Sequence, residues 1–266
     1  MPSALRNLVT QTAIPGILGG LGPLAHVDFE RQLIQLNAKR YPGQDQHHPV
    51  WVVVSATNIP DRTLSLAGEQ ESCTPWLIRY GQCLQRIGAD FMVVTCNTAH
   101  AFYEQVQPNL AIPWLHLMDL TSVYIRRQHP HCSQIGILAT DGTVRSQLYE
   151  HSLRYQGLTP ISLSLGSKSQ QQVMDAIYHP QWGIKSTGDR VAPLAHEALA
   201  AAIEVLKDQG AQLIIAGCTE LSVAFNRLPP PGLPWVDPLE VAAQTTINLA
   251  WGIEQLGILP LQNSAS

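Results

Sequence analysis

Two of the five cysteines, Cys96 and Cys218, occur in matching contexts. Each follows a short apolar run and precedes an amphipathic stretch: VVTCNTAH around Cys96, IIAGCTEL around Cys218. A thiol at the end of a parallel strand and the start of a helix lies at the edge where open α/β sheets bind ligands. The unpaired N–H groups and partial positive charge of the helix N-terminus favour the thiolate there. Two such thiols on opposite sides of one carbon suit inversion, in which one removes a proton from one face and the other returns a proton to the opposite face. Burial of cysteine as an ordinary small apolar residue is the competing explanation, and it weakens when both cysteines sit at equivalent points of a repeat.

That repeat runs along the chain. GILGG from Gly16 resembles GILAT from Gly136, and IPWLHLMD from Ile112 resembles LPWVDPLE from Leu233. The spacing also holds: 80 residues separate Gly16 from Cys96 and 82 separate Gly136 from Cys218. Three matched segments in one order indicate two halves of common origin. Apolar runs at residues 14–18, 50–55, 91–95, 135–139 and 213–216 read as buried strands alternating with helical patterns at 76–87, 97–106, 219–227 and 238–256. The expected fold is α/β, with two pseudo-symmetric domains, each a small parallel sheet flanked by helices, and an active site in the cleft between them. Residues 1–120 with 238–266 are expected to form the first domain and 121–237 the second, the last helix returning to the first.

Other residues add to the pocket. In Gly19-Gly20-Leu21-Gly22-Pro23 a strand runs into glycines whose amides, that of Gly20 among them, could approach a carboxylate, and Pro23 opens a helix. A structural tight turn is the alternative. The spacing is neither that of a dinucleotide fingerprint nor that of a P-loop. Thr140, Gly142 and Thr143 make the matching turn of the second half. Arg62, in SATNIPDRT, has the fork geometry for a side-chain carboxylate, unless it forms a surface pair with Asp61. Lys185 stands in the glycine-bordered loop GIKSTG and by itself reads as a surface lysine. Cys83 reads as core, and Cys73 and Cys132 as loop residues. HPHC at 129–132 has no further ligand spacing around it, so no metal site is expected.

Composition bounds the rest. The 266 residues are 45% hydrophobic and 14% charged, with a formal net charge of −4 and no basic stripe, which argues against a nucleic-acid surface. No apolar run approaches the length of a membrane helix, and residues 1–13 make a poor signal peptide, so a cytoplasmic protein with free thiols is expected.

The motifs GGLGP, NIPDRT, CNTAH, LATDGTVRSQLY and GCTEL together resemble the aspartate/glutamate racemase family over residues 14–256. The resemblance implies a racemase that works without pyridoxal phosphate or any other cofactor on a small amino-acid substrate, with Cys96 and Cys218 as the catalytic pair, and commonly a homodimer. It implies Arg62 on the distal carboxylate of aspartate, helped by Lys185, and Asn97, Thr98 and Thr219 on the α-carboxylate through their amides. Gly20, Thr140, Thr143 and Glu220 complete the expected substrate-facing set. Two departures stand where substrate choice is set: His26 replaces a frequent threonine, and YHPQWGIK at 178–185 is longer than the usual spacing. A substrate other than aspartate therefore stays open, as do a hydantoin racemase, a cis–trans isomerase or decarboxylase on the same scaffold, and a non-catalytic amino-acid-binding relative. A cysteine hydrolase would need a histidine on the thiol, and His100 is the one histidine near Cys96.

Overall fold

The computed structural model describes residues 10–188, 190–227 and 232–256. The first half runs β1 (Pro15–Gly19), α1 (Pro23–Arg40), β2 (Val52–Ser55), α2 (Arg62–Ala67), α3 (Thr74–Arg86), β3 (Phe91–Val94), α4 (Tyr103–Val106) and α5 (Leu117–Gln128). The second runs β4 (Gln134–Ala139), α6 (Asp141–Ser146), α7 (Leu148–Tyr155), β5 (Thr159–Ser162), α8 (Lys168–Tyr178), α9 (Ile184–Thr187), α10 (Pro193–Asp208), β6 (Leu213–Gly217), α11 (Thr219–Phe225), β7 (Trp235–Val236) and α12 (Pro238–Ala250). All strand pairs are parallel, in the orders β2-β1-β3 and β5-β4-β6-β7.

The repeat seen in the sequence is a repeat of topology. β1 and β4 are flanked alike, and β3 and β6 each carry a cysteine just past their C-terminal ends. Trp114 bridges to Met92 of β3 as Trp235 of β7 pairs with Ile214 of β6. Gly16 and Gly136 are equivalent as well: a Cβ on Gly16 would stand 2.8 Å from the Ala89 Cβ, and one on Gly136 would stand 3.0 Å from that of Ala211.

Because successive side chains of a strand alternate in direction, each central strand feeds two cores. Ile17, Phe91 and Val93 of one sheet and Ile135, Ile137, Leu213 and Ile215 of the other share a single cluster with residues of α1, α5, α7 and α12. The outward residues Leu18, Met92 and Val94 pack with α3 and the segment around Cys96. Leu138, Ile214 and Ala216 pack with α8 and α10. Both sheets thus lean on a common set of helices, which fixes the relative position of their C-terminal edges. α12 packs on α1 and α5, and Trp251, just after it, donates its indole N–H to Asn37 Oδ1 at 2.8 Å.

Several local expectations shift. α12 ends at Ala250 rather than 256, with Gly252 in a left-handed conformation (φ 67°) just beyond. β5 is an edge strand containing Pro160, which hid it from the sequence reading. Cys73 stands in the loop just before α3, as expected, but is fully buried, and its thiol donates to the Pro60 carbonyl at 3.4 Å. No helix among the described residues is long and apolar enough to cross a membrane.

Candidate active site

The C-terminal edges of both sheets converge on one region. Cys96 and Cys218 are each 6% exposed. Lys185 is a neighbour of this region: burial opposes its charge, but Glu220 above all holds its pKa up.

The segment after β3 is not the α-helix expected at 97–106. Thr98–Phe102 forms a 3₁₀ turn, followed by the short α4. The cause is His100. Its Nδ1 meets the Cys96 carbonyl at 2.9 Å and the Asn97 carbonyl at 3.2 Å, so the His100 backbone N–H turns to the Asn97 carbonyl three residues back. The indole N–H of Trp114 reaches Nε2 at 3.1 Å. Nε2 therefore accepts, Nδ1–H donates, and the ring is neutral. Burial, with His116 nearby, lowers the His100 pKa to about 3. His100 grips the backbone of Cys96 through its carbonyl, and both its ring nitrogens are engaged elsewhere than on the thiol, which argues against a hydrolase dyad. His100→Leu should leave two buried partners unmatched and cost roughly 1–3 kcal/mol, lowering the melting temperature by several degrees, whereas His100→Asn should recover part of the loss. Thermal unfolding of both variants checks this.

Cys218 caps α11 and stands differently. Its thiol donates to Glu220 Oε2 at 3.0 Å, while Glu220 Oε1 takes the Lys185 ammonium. Burial first, and then the Glu220 charge, push the Cys218 pKa well above the usual thiol range. This corrects the expectation that both helix N-termini favour thiolates: at Cys218 desolvation and a neighbouring carboxylate outweigh the helix end. Burial tends to raise the Glu220 pKa, but Lys185 and the Cys218 thiol overcome it and keep the carboxylate ionised.

Lys185 is no surface lysine. It sits on exposed backbone, but its side chain, 25% exposed, turns inward to Glu220 and lies 5.4 Å from the centre of the Tyr178 ring. The longer 178–185 segment is accommodated by a turn at Gly183, where a Cβ would strike the His179 backbone at 2.4 Å.

Arg62 forms no surface pair with Asp61 either. It is buried, whereas Asp61 caps α2 and accepts from Tyr178 Oη at 3.3 Å. The guanidinium gives Nη1 to the Pro60 carbonyl at 2.9 Å and Nη2 to the Leu21 carbonyl at 2.5 Å. Its Nε–H, though buried, has no hydrogen-bond partner. Burial opposes its charge, but Cys96 and Asp61 raise its pKa further.

Gly20 needs the left-handed conformation it adopts (φ 88°), since a Cβ there would meet the Ala56 nitrogen at 2.5 Å. Its N–H is not free for a carboxylate, however, because it donates to His26 Nδ1 at 3.2 Å. The residue that departs from the family pattern thus occupies the amide assigned to substrate. Between the two halves, Thr98 Oγ1 lies 3.0 Å from both Thr140 Oγ1 and Thr143 Oγ1, so these three hydroxyls bind one another. Tyr149, the last residue of LATDGTVRSQLY, and Tyr178, the first of YHPQWGIK, were given no role by the sequence; they reach from the second half to Asn97 and Asp61.

A pocket of about 290 Å³ opens onto this region, lined by Gly20, Gly22, Arg62, Lys185, Glu220 and neighbours. The cysteines, Asn97 and the three threonines do not line it. Arg62 and Glu220 connect its wall to Cys96 and Cys218. A larger groove of about 410 Å³, between α1 and Arg227, contains neither cysteine.

A two-sheet α/β enzyme with paired thiols and amides at the joint edge of its sheets is the class defined by this fold and site. The profile of the Asp/Glu/hydantoin racemase family matches residues 18–246, and the chain belongs to that family. It is an isomerase of the racemase type. It is 26% identical over 237 residues to a broad-specificity amino-acid racemase of Bacillus subtilis, covering 88% of this chain and 96% of that one. It is 25% identical over 201 residues to a glutamate racemase of Limosilactobacillus reuteri, covering 75% and 65%. Among solved structures it resembles the Picrophilus torridus aspartate racemase, with a TM-score of 0.72, 25% identity, and 91% and 95% coverage. It shares the fold of the Francisella tularensis glutamate racemase solved with D-glutamate, with a TM-score of 0.63, 16% identity, and 91% and 81% coverage.

Proposed function

We propose that the chain racemises an acidic amino acid, aspartate first and glutamate second, by cofactor-independent proton transfer between Cys96 and Cys218. The observation that carries this reading is the pair of equivalent thiols at the ends of β3 and β6, each 6% exposed, beside a buried arginine whose Nε–H has no hydrogen-bond partner. In the proposed mechanism, one sulfur takes the α-proton as the other delivers one to the opposite face. Backbone amides at Asn97, Thr98 and Thr219 hold the α-carboxylate and stabilise the charge that grows on it. The free Nε–H of Arg62 receives the distal carboxylate. Gly20 lines the pocket, and Thr140 and Thr143 anchor the Thr98 hydroxyl from the second half. The same reading divides the chain into domains at 1–120 with 238–266 and 121–237, and places it in the cytoplasm as a homodimer, a state that sedimentation analysis measures.

Proton–deuterium exchange at Cα in deuterated water, with aspartate, glutamate and neutral amino acids, tests the reaction. No exchange with any of them would end the racemase reading. Arg62→Ala should lower kcat/KM for aspartate by roughly 10- to 100-fold, as expected for a lost charge-assisted hydrogen bond, and change it far less for alanine. An unchanged aspartate/alanine ratio would remove Arg62 from substrate selection.

Glu220 favours a second reading. Lys185 is already paired with it, leaving Arg62 as the cation that selects a distal carboxylate. On that reading, aspartate is one of several accepted amino acids, and the exchange rates fall off gradually from acidic to neutral substrates.

A further inference from the structure

Tyr149 lies in α7, and its side chain is fully buried. The residue before α7, Gln147, takes a left-handed conformation (φ 52°) that separates α6 from α7. The Tyr149 ring packs against Gly217, the residue immediately before Cys218: a Cβ on Gly217 would stand 3.2 Å from Tyr149 Cε2. The Tyr149 hydroxyl donates to Oδ1 of Asn97, the residue immediately after Cys96. One side chain thus touches the chain beside both thiols. Burial, reinforced by Asp237, raises the phenol pKa well above its usual value, so the hydroxyl keeps its proton and acts as a donor.

Asn97 is 2% exposed, and its Nδ2 is buried without a hydrogen-bond partner. A buried amide donor is ordinarily matched, and an unmatched one calls for an explanation. The two orientations of a side-chain amide have nearly the same shape, so only hydrogen bonds choose between them. Here the tyrosine hydroxyl makes the choice, holding Oδ1 and leaving the N–H₂ edge for something else.

We propose that Tyr149 is a positioning residue. From the second half of the chain it fixes the orientation of the Asn97 amide, so that Nδ2 is presented as a donor to the substrate's α-carboxylate. The proposal rests on the racemase reading of this site. The carboxylate gains negative charge as the Cα–H bond breaks, so a fixed donor there acts more strongly in the transition state than in the ground state. The consequence is a fall in kcat larger than any rise in KM.

The test is a double-mutant cycle on the full chain, read by Cα–H exchange and racemisation. Tyr149→Phe keeps the ring against Gly217 and should lower kcat/KM about 10- to 100-fold, mainly in kcat, as should Asn97→Ala. In the Asn97→Ala background, Tyr149→Phe should change the rate less than about twofold, because the amide it orients is gone. Losses that multiply in the double variant, or a Tyr149→Phe enzyme with wild-type kcat, would overturn the proposal. Should Tyr149→Phe fail to fold, Asn97→Asp supplies the test: it keeps the acceptor for the tyrosine and removes the donor, so it should lose as much as Asn97→Ala, and wild-type activity would overturn the proposal. Absence of exchange in the wild type would overturn the racemase reading itself, whereas exchange in the wild type with multiplying losses would overturn only the role of Tyr149.

Discussion

Cys96→Ser and Cys218→Ser should each abolish racemisation in both directions, with losses of at least about 10²- to 10⁴-fold, the range typical of a removed general acid or base. A serine hydroxyl is too weak an acid to supply a base near neutral pH, whereas a thiol is within reach. The remaining cysteine still faces one side of the α-carbon. It can remove the proton of the enantiomer that presents it, and that proton then exchanges with solvent and returns to the same face. Each variant should therefore keep some Cα–H exchange with one enantiomer only, and the two variants should prefer opposite hands. Nuclear magnetic resonance of each enantiomer in deuterated water reads this directly. Exchange confined to the same enantiomer in both variants would mean that the thiols do not flank the carbon. Normal racemisation in either variant would make that cysteine dispensable.

Glu220→Gln should have the second large effect, on protonation rather than on the presence of a group. Cys218 is a thiol hydrogen-bonded to the Glu220 carboxylate. On the two-base proposal, this state serves the enantiomer for which Cys218 is the acid and Cys96 the base. The Glu220 charge holds the Cys218 pKa up, second only to burial. The neutral amide removes that charge and also frees the Lys185 ammonium, which favours the thiolate. Both changes lower the Cys218 pKa, so its thiolate should appear at lower pH. A unit charge at this range is worth on the order of a few kcal/mol near a protein surface. The iodoacetamide reactivity of Cys218, measured in a Cys96→Ala background, should accordingly rise about tenfold or more at neutral pH, its pH profile moving to lower pH. The pH–rate profile of racemisation by Glu220→Gln should move the same way. A reactivity profile that stays in place, or moves to higher pH, would mean that Glu220 does not set the state of this thiol.

The paired cysteines, the repeat and the central strands were legible in the sequence because they rest on local signals. Apolar runs of four to six residues make strands buried on both faces, and a strand followed by a polar motif and a helical pattern marks a ligand edge. Matched motifs at matched spacing identified Cys96 and Cys218 as equivalent before any contact was known. What the sequence did not reveal depends on groups far apart in the chain. The thiol of Cys218 is held protonated by burial and by Glu220, and Glu220 is in turn held by Lys185, 35 residues away. The amide of Gly20 looked free until α1 folded back and placed His26 against it. Because Asp61 and Arg62 are adjacent, a surface pair stayed open as the alternative for Arg62, yet tertiary packing sends Asp61 to Tyr178 and buries Arg62 beneath the glycine turn. Tyr149 ends the motif LATDGTVRSQLY, which assigned it no role, and only the shared core of the two sheets brings its hydroxyl to Asn97. Residue type and spacing determined which chemistry this chain can attempt. The tertiary structure decided which proton sits on which atom, because desolvation and charge pairing depend on distances that the linear order does not contain.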